Sequence, residues 1–342
     1  MGSYNIAVVG VGAVGEEMLK VIDERNFPAS SIRILARTPR TIVVRNKEYL
    51  VEATDAESFN NVDIALFAGT EGEKGAAVRF AEAAISRGAV VIDNGADFRM
   101  RQDVPLVVPE VNAAALDNHR GLIANPNCST AQLVIALKPL HDAARVKRVI
   151  VSTYQAVSGA GSAAVTELAD QNNSVAGGTE VKSSVFSQQI AYNVIPQIGG
   201  FDDAGYSSEE MKLVHETRKI LGDDSILVTP VVAARVPVNT GHSEAVYVEL
   251  EKPLTAAQAI ELWNEFPGVS VWNDSLDPKR AYPTPLEAAG SDETYIGRVR
   301  NDLSNPYALV FWIVSDNLRK GAATNAVQIA EALVERNLLR RN

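Results

Sequence analysis

The strongest constraint on this chain is the rhythm of its first third. Four short apolar runs, residues 6–9, 32–36, 63–67 and 90–93, alternate with segments of helical spacing. Of those segments, 14–25 and 75–87 repeat apolar residues at helical intervals, the second through Ala76, Phe80, Ala83 and Ala84. Strands that alternate with helices are joined by crossovers and lie parallel, which predicts an α/β fold with a doubly wound parallel sheet. The runs are rich in Val, Ile, Leu and Ala, as expected of a parallel sheet buried on both faces. The chain has 342 residues, against roughly 100–200 for a usual domain, so two domains are expected.

Composition narrows the partners. The net charge is −10 and no basic block offsets it, so neither nucleic acid nor an anionic membrane is an expected partner. The apolar run at 308–314 falls far short of the ~20 residues that a spanning helix needs. A single cysteine, Cys128, excludes an intramolecular disulfide and a multi-cysteine metal site, and no metal is expected. The first strand-like run begins almost at once, so no signal peptide is expected. Met1-Gly2-Ser3 opens a myristoylation pattern that Ile6 breaks. A cytoplasmic protein is the expectation.

Gly10-Val11-Gly12-Ala13-Val14-Gly15 fits G-x-G-x-x-G in the context that gives the pattern meaning, directly after a strand and opening a helix. Such glycines let the backbone approach a pyrophosphate held at a helix N-terminus, so Gly10, Gly12, Ala13, Val14 and Gly15 are candidate cofactor contacts. NAD binders place an acid at the end of the second strand to grip the ribose. Here that stretch reads Leu35-Ala36-Arg37-Thr38-Pro39-Arg40. Arginine suits a 2′-phosphate, so NADP is expected, with Arg37 and Thr38 as contacts and Arg40 as a possible second cation.

Near residue 125 the pattern changes. Asn125-Pro126-Asn127-Cys128-Ser129-Thr130 is a polar turn expected to open a helix over 131–143, capped by Ser129 or Asn127. A thiol at a helix N-terminus is biased towards thiolate, and with a nicotinamide it suggests aldehyde chemistry through a thioester. A strand over 146–153 follows, then a Gly/Ser-rich stretch at 158–162 and a helix. Ser207-Ser208-Glu209-Glu210 reads as a capping box for a helix ended by Gly222. Strands are expected over 226–238 and 242–250, and a last helix over 322–336. A two-residue hairpin turn at Asn239-Thr240 would oppose Arg235 to Glu244 and put Arg235 and His242 on one face; a three-residue turn would separate them.

Asn125–Thr130 (NPNCST) and Thr153–Gly159 (TYQAVSG) resemble the paired signatures of the aspartate-β-semialdehyde dehydrogenase family. So do 94–100 (NGADFRM), 189–197 (QIAYNVIPQ), 216–222 (ETRKILG), 235–246 (RVPVNTGHSEAV) and 317–323 (NLRKGAA). The resemblance runs nearly end to end. It implies a Rossmann-type domain, 1–125 plus 320–342, and a second α+β catalytic and dimerisation domain over 126–319. It implies reversible reduction of β-aspartyl phosphate to aspartate semialdehyde with NADPH and release of phosphate, on the route to lysine, methionine and threonine, by a homodimer or homotetramer.

By the same resemblance, Cys128 is the nucleophile, His242 the acid/base and Gln155 the orienting amide. Arg235 holds the substrate carboxylate and Glu216 its ammonium. Lys219 and Arg99 hold phosphate, with Asn127 beside the substrate, and Ser158, Gly159 and Asn317 complete the cofactor set. His119, His141 and His215 are expected to be structural. The family's first loop usually reads G-x-x-G-x-x-G, one residue longer than here. Two alternatives stand beside this reading: another phosphorylating semialdehyde dehydrogenase such as N-acetyl-glutamyl-phosphate reductase, and a catalytically impaired paralogue that keeps the fold.

Overall fold

The structure, a computed structural model, describes residues 3–69, 72–274, 276–277 and 279–339. Met1 and Gly2 of the myristoylation pattern lie outside these. The chain divides into two compact units, one taking the chain up to Asn127 and again from Ala322, the other Cys128–Gly321.

In the first unit the order is β1 (Tyr4–Val9), α1 (Ala13–Glu24), β2 (Ala29–Ala36), β3 (Arg40–Val44), β4 (Lys47–Ala53), β5 (Ile64–Phe67), α2 (Ala76–Ser86), β6 (Val90–Asp93), the one-turn α3 (Pro109–Asn112) and β7 (Leu122–Ala124). The strands form one sheet in the order β3-β4-β2-β1-β5-β6-β7. All neighbours are parallel except β3 and β4. The four apolar runs of the sequence are β1, β2, β5 and β6, whereas the β3–β4 hairpin and β7 carry no comparable signal.

Successive strands leave β1 in opposite directions, so the crevice at the C-terminal ends of β1 and β5 is the place where such sheets bind ligands. The glycine loop opens there. Helix α9 (Thr324–Glu335) returns to this unit and packs Val327, Ile329 and Leu333 into its core. Its Glu331 takes a two-pronged hydrogen bond from the Arg25 guanidinium at 2.9 and 2.7 Å.

The second unit contains α4 (Cys128–Ala144), β8 (Val146–Gln155), α5 (Ser162–Gly177), α6 (Ser208–Leu221), β9 (Leu227–Arg235), β10 (His242–Leu250), α7 (Ala256–Glu265), β11 (Val269–Trp272), α8 (Pro285–Ala288), β12 (Thr294–Asn301) and β13 (Ala308–Ser315). Its mixed sheet runs β11-β12-β13-β10-β8-β9. One face packs on α4 and α7 through Leu133, Leu137, Val246, Val248, Phe311 and Trp263.

Two expectations change here. Helix α4 begins at Cys128 itself, so Asn127 precedes the first helical residue and Ser129 lies inside the helix instead of capping it. And β9 and β10 form no hairpin, because β8 lies between them, parallel to β9 and antiparallel to β10. The 236–241 connection crosses the end of β8, where the Val236 N–H donates to Gln155 and the Val157 N–H to Val238. The common face of Arg235 and His242, which a two-residue turn would have given, arises instead through β8. Arg235 opposes Gln155, and Gln155 lies one step beyond the Ser243–Tyr154 pair.

Candidate active site

Cys128 is the first residue of α4, half-buried and unbridged. Its Cβ is backed by Gly321, where an added Cβ would stand 2.7 Å away. Gly321 belongs to a π-helical turn, Arg319–Ala323, whose entry Asp316 fastens by accepting the Leu318, Arg319 and Gly290 N–H groups. Its backbone carbonyl accepts the Gly321 N–H.

The row across β10, β8 and β9 supplies His242, Gln155 and Arg235, all buried. The Arg235 guanidinium donates to the Ala156 carbonyl at 2.7 Å, and its main chain pairs with Ile195 in both directions. The segment leading to Ile195 is itself tied to α5. Glu167 accepts from Ser184, Val185 and Phe186, and Gln171 from Ile190 and Ala191.

The Ala156 N–H donates to His242 Nδ1 at 3.1 Å. A backbone amide can only donate, so Nδ1 accepts and the neutral ring carries its proton on Nε2. Nε2 has no hydrogen-bond partner among the described residues. Burial, and after it the Arg235 charge, push the His242 pKa down to about 3. The ring is set as a neutral donor. Gly159 leaves its space open, since a Cβ there would meet Arg235 Nη1 at 2.9 Å and His242 Nε2 at 3.2 Å.

The carboxylate at this group is Glu209. Its Oε1 accepts from Gln155 Nε2 at 3.2 Å, and its charge acts on both Arg235 and His242. Lys212 pairs with it at 3.3 Å. The Cys128 charge also acts on Arg235, raising its pKa against a larger lowering by burial. Glu216 is buried and Lys219 half-buried on the same helix. They stand two turns, roughly 10 Å, further along the axis. The structure thus brings Glu209 and Lys212 to this group, whereas the expected pair Glu216 and Lys219 lies further along α6. The segment repeats Glu-x-x-Lys at an interval of two helical turns, and the capping box (Ser207 with Glu210) was the available sign that Glu209 stands at the helix mouth.

Ser158, Asn317 and Gly241 form a closed buried network. Asn317 Nδ2 donates to Ser158 Oγ at 3.0 Å, and its Oδ1 accepts the Gly241 N–H at 2.9 Å. Of the remaining histidines, His119 bonds the Leu338 carbonyl and the Gly121 N–H, His141 accepts from Val146, and His215 is exposed.

In the first unit the glycine loop has the shape of a phosphate cradle. A Cβ at Gly15 would overlap the Gly10 carbonyl, whereas a Cβ at Gly12 would meet nothing within 4 Å. The N-cap of α1, Gly12, brings no side chain to the helix's first amides, which leaves them for an anion. Ala13 and Val14 open α1, and Arg37, Thr38 and Arg40 are exposed after β2. Arg99 is buried, donating to the Asn125 and Asn94 carbonyls at 2.9 and 2.7 Å. It thus fixes the turn that leads through Asn127 to Cys128.

A dinucleotide-type α/β unit, together with an α+β unit that gathers a cysteine, an imidazole, an amide and an arginine, defines a two-domain semialdehyde dehydrogenase. Residues 5–119 match the family model "Semialdehyde dehydrogenase, NAD binding domain", and residues 137–320 match "Semialdehyde dehydrogenase, dimerisation domain". An aspartate-semialdehyde dehydrogenase of Legionella pneumophila is 49% identical, over 98% of this chain and 97% of its own. One of Bacillus subtilis is 44% identical over 98% and 99%. A solved structure of aspartate semialdehyde dehydrogenase II from Vibrio cholerae, complexed with ASA, superposes with a TM-score of 0.91 at 45% identity, covering 98% of this chain and 99% of that one. The chain belongs to the aspartate-semialdehyde dehydrogenase family, an enzyme family with a nicotinamide-dinucleotide domain.

Proposed function

We propose that the protein catalyses the reversible NADP-dependent reductive dephosphorylation of L-aspartyl-4-phosphate to L-aspartate-4-semialdehyde through a thioester on Cys128. The observation that carries this reading is the placement of Cys128 on the first turn of α4 in the unit whose sheet lines up His242, Gln155 and Arg235. NADP over NAD is supported by the stretch after β2, which offers Arg37, Thr38 and Arg40 and no acid. Gly10, Gly12, Ala13, Val14 and Gly15 would hold the pyrophosphate. The Ser158–Asn317 pair beside the open Gly159 would border the nicotinamide. When bound, the nicotinamide supplies the hydride acceptor or donor.

In the oxidising direction the Cys128 thiolate adds to the aldehyde carbon. His242 Nε2–H donates to the oxygen as it gains charge, the role for which its tautomer is already set. Gln155 orients the resulting acyl group. Arg235 holds the α-carboxylate by a two-pronged bond, and Glu209 meets the ammonium. Phosphate, for which Lys212 on α6 offers a cation, then attacks the thioester carbonyl and expels the Cys128 sulfur as thiolate.

A homodimer is supported by the dimerisation-domain match and by apolar surface on the second unit at Tyr192, Val194, Phe201 and Val231. The reading extends to a cytoplasmic enzyme of lysine, methionine and threonine synthesis, on the strength of family membership. The test is reduction of NADP by aspartate semialdehyde in the presence of phosphate. Cys128→Ala should abolish it while NADP binding persists. Turnover independent of phosphate, or retained in the alanine variant, overturns the reading.

A further inference from the structure

Behind the reacting pair lies a second pair with no assigned role. Gln132 follows Cys128 by one turn on α4, and Glu244 follows His242 by two residues on β10, so each repeats the face of its partner. Four helical residues advance about 6 Å and two strand residues about 6.7 Å, so the two elements keep step. They pack together through Leu133, Leu137, Val246 and Val248, and at the far end the Glu251 N–H, just past β10, donates to the Ala144 carbonyl. Glu244 is 0% exposed and Gln132 is 1%. The Gln132 amide bears on the Glu244 carboxyl, yet neither oxygen of Glu244 and neither polar atom of Gln132 closes a hydrogen bond of normal geometry. Among the described residues no cation acts on the Glu244 carboxyl. Glu244 lies opposite Thr153 on β8 and Ile313 on β13, and below it the face is Val246, Val248 and Leu250.

We propose that Glu244 is a positioning residue that works as the neutral acid: its O–H donates to Gln132 Oε1 and its carbonyl accepts from Gln132 Nε2, clasping the Cys128 helix to the His242 strand one step behind the reacting atoms. Only the protonated acid matches an amide at both atoms. A carboxylate would set a second acceptor against Gln132 Oε1, in a site where nothing else compensates the charge. Burial accordingly raises the Glu244 pKa to about 8, with Gln132 pulling it slightly back. The clasp fixes the height of the first turn of α4 relative to His242, and such spacing governs a near-attack geometry.

The inference rests on Cys128 as nucleophile, so its test includes a reading of the thiol that needs no turnover. Glu244→Gln, which keeps a donor and an acceptor, should retain kcat within about threefold. Glu244→Ala should lower kcat by about 10- to 100-fold, the range for a small misplacement of reacting groups, with a smaller change in KM and slower alkylation of Cys128 by iodoacetamide. The exchanged pair Gln132→Glu with Glu244→Gln rebuilds the clasp with its members reversed and should recover both readings. Infrared difference spectra of parent against Glu244→Gln, at neutral pH, should show a carboxylic-acid carbonyl band in the parent. If the alanine variant alkylates and turns over like the parent, or Glu244→Gln is as impaired as alanine, the clasp is refuted. Should Glu244→Ala not fold, the exchanged pair and the spectrum decide alone. Failure of the thioester reading is distinct, since it would show as turnover in Cys128→Ala.

Discussion

Glu244→Gln should change how stability depends on pH, with a sign opposite to that of most carboxyl substitutions. The folded protein holds the Glu244 proton up to about pH 8, whereas the ordinary value is 4.5. Between those values the unfolded chain has released the proton and the folded one has not, so folding takes a proton up. Stability contributed by this group is whole below pH 4.5 and is lost as pH rises through the window to about 8. That gap is worth roughly 5 kcal/mol at most, at ~1.36 kcal/mol per pH unit. Glutamine does not titrate. The variant should therefore gain on the parent by up to about 5 kcal/mol between pH 5 and pH 9. His242, whose depressed pKa costs stability as pH falls from its ordinary 6.5 towards about 3, is present in both proteins and cancels in the difference. The measurement is urea unfolding of both proteins at matched concentration across that range, read by tryptophan fluorescence. It reports the relevant unit, because Trp263, Trp272 and Trp312 are all the tryptophans the chain has, and all lie within Cys128–Gly321. Stability profiles that stay parallel from pH 5 to pH 9 would show that Glu244 is already ionised when folded, and the argument would fall.

Arg37→Ala should weaken NADP by about 1.5–3 kcal/mol, the value of a hydrogen bond to a charged group, and NAD much less; equal losses in a binding titration would make Arg37 an ordinary loop charge. Glu209→Gln should reduce kcat/KM for aspartate semialdehyde at least 100-fold, as when a buried polar partner is removed, while Glu216→Gln leaves it within a few-fold. The reverse ranking would return the ammonium to Glu216. Gly321→Ala forces a methyl group against the Cys128 Cβ. It should cost about 1–3 kcal/mol of stability by overpacking and slow alkylation of Cys128, and a parent-like alkylation rate would mean that the π-helical turn yields.

Much of this was legible in the chain because local chemistry and global fold agree. The apolar runs that became β5 and β6 are buried throughout, and those of β1 and β2 are buried towards their C-terminal ends, so the strand signal is strong. The β3–β4 hairpin was hidden because it lies at the sheet edge, with Val43 and Leu50 exposed. It turns on Arg45 and Asn46, both at positive φ, without the glycine that usually announces such a turn. Cys128 at a helix start was readable from its polar turn. The common face of Arg235 and His242 was reached from the sequence by the wrong route, since alternation along β9 and β10 cannot reveal that a third strand separates them. Glu209 was not singled out because Glu-x-x-Lys occurs twice on α6, and spacing alone cannot say which of the two stands beside Gln155.

What no side-chain pattern could show is that the backbone of one residue orients both Arg235 and His242. The Ala156 N–H fixes the His242 tautomer, and the Ala156 carbonyl aims the Arg235 guanidinium. These two bonds set opposite requirements on their ligands, a ring nitrogen that must accept and a cation that must donate, so the pair cannot exchange roles. Protonating His242 at Nδ1 would face the Ala156 N–H with another donor, beside a cation already in place. Geometry and charge thus resist the imidazolium together, and the ring stays a neutral donor at Nε2. That arrangement exists because the end of β8 is overlain by the 236–241 connection, which makes Ala156 the common neighbour of β9 and β10. The separation of the two strands, which defeated the hairpin expectation, is the feature that lets one backbone residue govern both side chains.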